Sequence, residues 1–287
     1  MEGVFAQTLV SGLFIGFLYA LIAVGLTMIF GVMEIVNFAH GDYLMVAMYF
    51  SYWSFALLGL DPLYSLPMVT AALFALGIIT YYALIKKIIN APMLAQIFVT
   101  FGLLIFLRGM AQFLWKVDYR MIPQTVLSGQ LQLFNIYIGK PQFVAAIGAI
   151  ICNGLIFWFL KKTKLGMALE AVAEDKEAAR LMGINSDRMF ALAWGIGIAS
   201  IGVAGALLSS FYYVFPEVGG NFGLIAFVVV ALGGFGSVAG AFIAGIIVGL
   251  VEVMAGYLLA PSIKFLVVLA LYLAVVFIRP QGLMGKA

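Results

Sequence analysis

The sequence predicts an all-α polytopic membrane protein with about eight to nine transmembrane helices, some of them broken or re-entrant. Of its 287 residues, 65% are hydrophobic and only 9% are charged, whereas soluble domains carry roughly 25% charged residues. Stretches without Asp, Glu, Lys or Arg recur at 3–33, 62–85, 88–107, 141–160, 189–216 and 218–251. A run of about 18 apolar residues is enough to cross a bilayer as a helix.

The distribution of basic residues predicts the topology, because Lys and Arg concentrate in cytoplasmic loops. The predicted spans are 4–31, 43–59, 65–85, 95–115, 141–160, 189–213, 222–236, 238–260 and 264–279. This path places ten basic residues inside: Lys86, Lys87, Lys161, Lys162, Lys164, Lys176, Arg180, Arg188, Arg279 and Lys286. It leaves the N-terminus outside. The whole of 1–287 is predicted to be one transmembrane domain.

A polar break, MEIVNFAHGD, separates the first two spans and holds the single histidine of the chain. Polar and ionisable residues at membrane depth are costly and often mark a transport pathway. Asn37, His40 and Asp42 are therefore candidate pathway residues. The alternative is structural: Asp42 and Asn37 cap helix ends, or Glu34 and Asp42 are solvated at the inner surface. One histidine without partner ligands predicts no metal site.

The predicted outer loop, 116–140, contains LQLFNIYIG (131–139), which is typical of a short strand or hairpin. The loop either caps the helix bundle or meets a partner. Glu217 lies in another outer loop where a partner protein can dock. Among charges within spans, Arg108 is expected to extend toward the outer surface or to pair with a neighbouring subunit. Glu252 is expected to form a structural hydrogen bond.

The predicted inner loop, 161–188, contains a charged stretch, AEDKEAARLM, that resembles a soluble helix. Asp175 is a suitable N-cap, and Gly183 is a suitable C-terminal stop. A helix this short is marginal alone in water, so its apolar face needs a surface on which to dock. That surface belongs either to this chain or to another subunit.

A glycine-rich stretch, GGFGSVAG (233–240), precedes the eighth span. Unwound backbone at membrane depth is tolerated where it lines a cavity, which makes Gly233, Gly234, Gly236 and Ser237 candidate pathway residues. The alternative is close helix packing, which is favoured for the GxxxG pair Gly245 and Gly249.

Four stretches resemble branched-chain amino acid ABC transporter permeases of the LivH type. They are IVNFAHGDYLMVAMY (35–49), AEDKEAARLMGINSDR (173–188), VALGGFGSVAGAFIAGIIVG (230–249) and RPQGLMG (279–285). The pattern E-A-A-x-x-x-G at 177–183 is similar to the cytoplasmic coupling helix of ABC importer permeases. Two positions depart from the family pattern: Asp42 stands where Glu is more frequent, and Glu170 stands in a stretch that is often basic.

The resemblance implies a permease subunit that forms a translocation pathway for hydrophobic, branched-chain amino acids in the bacterial inner membrane. It implies a second homologous permease, as a heterodimer, two ATPase subunits and a periplasmic binding protein as partners, with no nucleic acid. The residues implied to couple to the ATPase are Glu177, Ala178, Ala179, Arg180, Leu181 and Gly183.

Other functions remain as alternatives at this stage. The same architecture serves urea or short amides in related permeases, and a self-sufficient secondary carrier or channel would also explain polar breaks. The chain lacks the G-x-x-x-x-G-K-[ST] phosphate-binding motif, so ATP is expected to be used by partner subunits, with no cofactor on this chain. The sequence contains no set of nucleophile and general base that would predict an enzyme.

Overall fold

The structure is a computed structural model that describes residues 2–123, 125–133 and 136–285. Its elements are α1 (Glu2–Met33), α2 (His40–Leu58), α3 (Pro62–Ile88), α4 (Met93–Trp115), β1 (Gln130–Leu133), β2 (Ile136–Gly139), α5 (Lys140–Lys162), α6 (Lys164–Glu174), α7 (Lys176–Leu181), α8 (Ser186–Leu208), α9 (Val218–Gly233), α10 (Val238–Leu258) and α11 (Lys264–Ile278). The predicted all-α polytopic class is confirmed. Within the described residues, seven helices are long and apolar enough to cross a membrane, the last of them running over Pro261–Ile278 with the 3-10 turn before α11 included. The helix α9 is apolar but only 16 residues long.

Two helices form the centre of the bundle. Both α1 and α8 are buried along most of their length, and Trp194 of α8 is fully enclosed. Small residues bring α1 against α10: Gly249 lies on Gly16, and Gly245 lies on Ala20. The GxxxG pair of α10 therefore packs against another helix, as its spacing predicted.

The two halves of the chain form an inverted repeat. The first helix of each half packs against the third helix of the other half: α1 contacts α10, and α8 contacts α3. Gly25 of α1 faces Gly197 of α8, and Gly41 of α2 faces Gly219 of α9. The first residues of α1 lie beside the β1–β2 hairpin, whereas α8 begins beside Lys86 at the opposite end of the bundle, so the two central helices are antiparallel.

The second helix of each half begins inside the bundle. Nε2 of His40 lies 2.8 Å from the carbonyl oxygen of Ile22, which is 11 residues before the end of α1. The extended segment 34–39 therefore runs back along roughly 16 Å of α1. Because Gly219 packs on Gly41, α2 and α9 begin side by side and run toward opposite ends. Such irregular backbone is tolerated at membrane depth because it is buried in protein.

The basic loops share one end of the bundle, here called the basic end. Lys86 forms an ion pair with Asp187 at 3.0 Å, and Lys176 donates to the side chain of Asn90. The opposite end, here called the outer end, carries the β1–β2 hairpin. Its strands pair antiparallel from Gln130–Gly139 to Leu133–Ile136. The hairpin was predicted from the sequence. Phe134, Asn135 and the basic Lys286 lie outside the described residues.

Three elements differ from the sequence prediction. The third span contains a π-helical turn at Tyr81–Ile85. The predicted span 189–213 ends at Leu208, and the residues before α9 form turns and a bridge between Val214 and Arg120. The loop after α5 contains an additional helix, α6, which begins where the side chain of Thr163 accepts a hydrogen bond from the Gly166 amide at 3.0 Å.

Candidate functional site: a polar face at the outer end and a capped helix at the basic end

The polar break before α2 is a tightly held turn. Asn37 accepts a hydrogen bond from the Ala39 amide at 3.1 Å through its side-chain oxygen, and His40 donates to the Ile22 carbonyl. Asn37 and His40 are both fully buried within this chain. The structure thus assigns them contacts that fix the start of α2, and a role for them in the pathway stays a prediction.

Asp42 lies in the first turn of α2 and pairs with Arg108 of α4. Arg108 donates from Nε to Oδ1 at 3.0 Å and from a terminal nitrogen to Oδ2 at 3.3 Å. The Asp42 side chain is 1% exposed, whereas that of Arg108 is 28% exposed. The expected outward extension of Arg108, or its pairing with a neighbouring subunit, is therefore replaced by an ion pair within the chain, because the re-entrant start of α2 brings Asp42 beside α4.

Further polar groups surround the exposed edge of Arg108. Gln112, one helical turn further out on α4, donates to the Glu217 carboxylate at 2.8 Å. Glu217 precedes α9, and Gly220 and Asn221 follow in its first turn, all three exposed. We call the surface formed by Arg108, Gln112, Glu217, Gly220 and Asn221 the outer polar face. Ionisable groups facing lipid are costly, so this face borders protein or water.

A cysteine at Asn221 tests whether the outer polar face is hydrated. In a Cys152→Ala background, Asn221→Cys is expected to react with a membrane-impermeant, charged thiol reagent added from outside, because Asn221 is exposed beside charged groups. Labelling is followed by mass shift. Ile151→Cys, on the 56% exposed apolar surface of α5, is the control that should remain unlabelled. Equal resistance of both cysteines would show that water does not reach the face and that lipid or another protein covers it.

The second group of predicted pathway residues lies at the basic end. Gly234 and Gly236 have φ values of +102° and +80°, and Ser237 caps α10 by accepting from the Gly240 amide at 3.1 Å. The C-terminal tail folds back onto this turn, where Leu283 donates to the Leu232 carbonyl at 2.8 Å and Met284 to that of Gly233 at 3.0 Å. Since the 16 residues of α9 span roughly 24 Å, the structure does not bring the two groups together.

A cavity of about 770 Å³ opens at the basic end beside this turn. Its lining comes from the end of α1, the ends of α5 and α6, the 235–239 turn and the tail. Glu34 lines it with a positive φ of 57°, and Lys161 and Glu170 form an ion pair there at 2.8 Å. Glu170, the acidic departure noted in the sequence, is thus paired within the chain.

The short helix α7 is closed at both ends by its own residues. Asp175 accepts hydrogen bonds from the amides of Glu177 and Ala178 at 2.8 and 2.9 Å. Gly183, at φ +82°, donates to the Arg180 carbonyl, and Ile184 donates to that of Ala179, each at 3.0 Å. These two bonds form a Schellman motif. The predicted cap and stop of this helix are therefore present.

The exposed tip of α7 is apolar. Leu181 is 89% exposed and Met182 is 83% exposed, while Ala179 is buried against the chain itself. Glu177, Ala178 and Arg180 also face outward. The sequence predicted one apolar docking face on this helix, and the structure divides it, with Ala179 inward and Leu181 outward. Adjacent large apolar side chains exposed to water mark an interaction surface.

A buried ion pair confirms the structural role expected for Glu252. Its carboxylate accepts from the Tyr19 hydroxyl at 2.6 Å and from the Lys264 ammonium at 2.7 Å, and Glu252 is 3% exposed. These bonds join α1, α10 and α11. Within the described residues, no group of three or more His, Cys, Asp or Glu side chains is placed to hold a metal ion.

A bundle of apolar helices, with two shorter helices that begin side by side within it, defines a polytopic membrane transport protein. The chain belongs to the branched-chain amino acid transport system / permease component family, whose model matches residues 8–276. It is therefore a multi-pass inner-membrane permease component and not an enzyme.

Curated relatives match almost the whole chain. The chain is 31% identical to the high-affinity branched-chain amino acid transport system permease protein BraD of Pseudomonas aeruginosa, over 98% of this chain and 96% of the relative. It is 32% identical to LivH of Escherichia coli K12 with the same coverage. A probable LivH of Methanocaldococcus jannaschii is 30% identical over 93% of this chain and 89% of the relative.

A solved structure shares the fold. PsaBC from Streptococcus pneumoniae, in complex with a Fab, matches with a TM-score of 0.50 and 16% identity, covering 96% of this chain and 93% of that chain. At this identity, the similarity describes the arrangement of helices alone.

Proposed function

We propose that this chain is the pathway-forming permease subunit of an ABC importer for branched-chain amino acids, driven by separate ATPase subunits that dock on α7. The exposed apolar tip of α7 carries the proposal, because Leu181 and Met182 face solvent at the basic end with no part of the described chain covering them. Relatives that match almost the whole chain are named as permeases of branched-chain amino acid transport systems, which supports the substrate class.

The proposed assembly contains a second, homologous permease as a heterodimer, two ATPase subunits and a binding protein that delivers the amino acid at the outer end. ATP is bound by the ATPase subunits, and this chain holds no cofactor. Glu177, Ala178 and Arg180 surround the apolar tip and supply polar contacts at the rim of the interface. Gly183 acts through its turn, which fixes the direction in which the tip points.

The alternatives explain less of the structure. A self-sufficient secondary carrier leaves the capped, exposed α7 without a purpose. Urea or short amides as cargo gain no support from the names of the relatives. A branched-chain amino acid also fits the surface near Arg108, where polar and apolar residues adjoin.

The substitution Leu181→Glu tests the coupling role of α7. Burying a leucine side chain contributes about 1.5–3 kcal/mol, and about 1.4 kcal/mol corresponds to a tenfold change in affinity. We expect ATPase co-purification and ATP-driven leucine uptake to fall at least roughly tenfold, while the amount of inserted permease stays normal. Uptake is measured in proteoliposomes that contain the complete complex.

Val126→Glu is the matched control for this test. Val126 is 65% exposed in the loop at the opposite end of the bundle, so the substitution adds the same charge without touching α7. The complex that contains Val126→Glu should retain its ATPase subunits. If the Leu181→Glu complex retains its full complement of ATPase and normal ATP-driven uptake, the proposed coupling surface is wrong.

A further inference from the structure

We infer that the outer polar face and the apolar surface directly below it form a transient binding subsite for an amino-acid zwitterion, with Arg108 holding the carboxylate and Glu217 the ammonium group. The inference rests on the proposed function and adds a position and an orientation for the substrate. Three features of the described residues carry it: donors left free on Arg108, a glycine that keeps them uncovered, and the boundary between polar and apolar surface.

Arg108 retains unused hydrogen-bonding capacity. Its contact with Asp42 uses Nε and one terminal nitrogen, whereas a guanidinium carries five N–H donors. The other terminal nitrogen has no hydrogen-bond partner among the described residues. A guanidinium offers planar, paired donors to a carboxylate. Asp42 holds one edge of the guanidinium in place, and the Arg108 side chain as a whole is 28% exposed.

Gly220 keeps the guanidinium accessible. A Cβ atom at position 220 would lie 3.3 Å from the terminal nitrogen of Arg108 that bonds Asp42 and 4.0 Å from the other terminal nitrogen. A larger side chain there would extend over the guanidinium, while glycine leaves it open. The residue is exposed, so no contact with neighbouring backbone requires the glycine. The effect of this glycine is therefore to leave Arg108 accessible.

Glu217 supplies the complementary charge. Among the described residues, one of its carboxylate oxygens accepts from Gln112, which lies one helical turn, about 5.4 Å, after Arg108 on α4. Gln112 therefore holds the Glu217 carboxylate on the side of α4 that carries Arg108. The carboxylate and ammonium groups of an α-amino acid are attached to the same carbon atom, so one zwitterion needs both charges on one side of the helix.

The surface becomes apolar directly below these charges. Phe101 and Ile105 lie on the same side of α4 as Arg108 and are 48% and 57% exposed, and Leu224, one turn after Gly220 on α9, is 52% exposed. A zwitterionic head at the outer polar face would thus place its side chain against apolar surface. This order, charged above and apolar below, matches an aliphatic amino acid that arrives from the outer end.

The experiment measures ATP-driven leucine uptake by the complete complex in proteoliposomes, with loaded binding protein outside. Gly220→Leu covers the guanidinium without changing any charge, and we expect the maximal rate to fall at least tenfold while ATPase co-purification is unchanged. Gly154→Leu is the control, because Gly154 on α5 is exposed with no atom near its Cβ position. It should transport normally.

Two charge variants extend the test. The double variant Asp42→Asn with Arg108→Gln removes both charges of the ion pair together, and it should yield folded protein with a similarly low maximal rate. Glu217→Gln keeps a polar group beside Gln112 but loses the charge, and a several-fold decrease is expected. Repeating the assay in vesicles of phosphatidylcholine alone separates a substrate carboxylate from the headgroup of an anionic lipid, since these vesicles contain no lipid with a net negative charge.

The outcomes separate this inference from the proposed function. A wild-type complex that accumulates no leucine overturns both. If the wild-type complex accumulates leucine and the Gly220→Leu complex does so at the same rate, the subsite alone is overturned. Wild-type uptake that appears only when anionic lipid is present assigns Arg108 to a lipid headgroup and also overturns the subsite.

Discussion

Replacing Arg108 with methionine is expected to destabilise the protein by roughly 3–5 kcal/mol, because it leaves the buried Asp42 carboxylate without its partner. Asp42 is 1% exposed, and its carboxylate accepts both hydrogen bonds from Arg108. Methionine keeps much of the length of the side chain, so the lost charge is the main change. The consequence should be a lower midpoint of thermal unfolding in detergent and a lower yield from membranes.

A second substitution separates this charge effect from a loss of packing. Adding Asp42→Asn to Arg108→Met removes the unpaired charge, and the double variant should recover a large part of the lost stability. Arg279→Met is the control, because it is the same substitution at an exposed side chain near the C-terminus. It should have little effect on the midpoint of thermal unfolding. Equal stability of Arg108→Met and wild type, or no recovery in the double variant, would contradict the importance assigned to this ion pair.

Substituting Gly41 with alanine is expected to prevent accumulation of folded protein. An added Cβ would collide with the Gly219 carbonyl oxygen and with the backbone of Gly223, and backbone atoms of two packed helices cannot move aside as a flexible side chain does. Overpacking a core typically costs about 1–3 kcal/mol, occasionally more, and a clash between two backbones belongs to the severe cases. The measurement is the yield of monodisperse protein after mild detergent extraction.

Gly102→Ala is the control for this second test. Gly102 lies on α4 with no atom near its Cβ position, and alanine is the better helix former by about 0.8–1 kcal/mol. Its yield should equal or exceed that of wild type. A Gly41→Ala protein that extracts normally and unfolds at the wild-type temperature would show that α2 and α9 are not in the close contact described.

The sequence predicted the elements that depend on local patterns. Each of the nine predicted spans overlaps a helix, because the lack of charge over about 18 residues is a property of the chain itself. The cap at Asp175 and the turn at Gly183 were equally local, and both were found. The helix α6 was missed, although Thr163 is a suitable N-cap and Leu169 and Val172 recur at helical spacing on its buried side.

The pairing of Arg108 with Asp42 was beyond local reasoning. The two residues are 66 positions apart, and they meet only because segment 34–39 turns back into the bundle. The inverted repeat was equally beyond local reasoning, because it relates the break at 34–39 to residues 209–217, and the two stretches differ in sequence.

The meeting of α2 and α9 also has an electrical consequence. Each helix carries roughly half a positive elementary charge at its N-terminus, and here two such ends adjoin in a region of low dielectric constant. The nearby Asp42 and Arg108 cancel each other in net charge, and the Glu217 carboxylate directly before α9 lies at the same junction. Helix N-termini stabilise nearby negative charge, so we expect the two helix ends to offset part of the cost of holding these carboxylates away from bulk water.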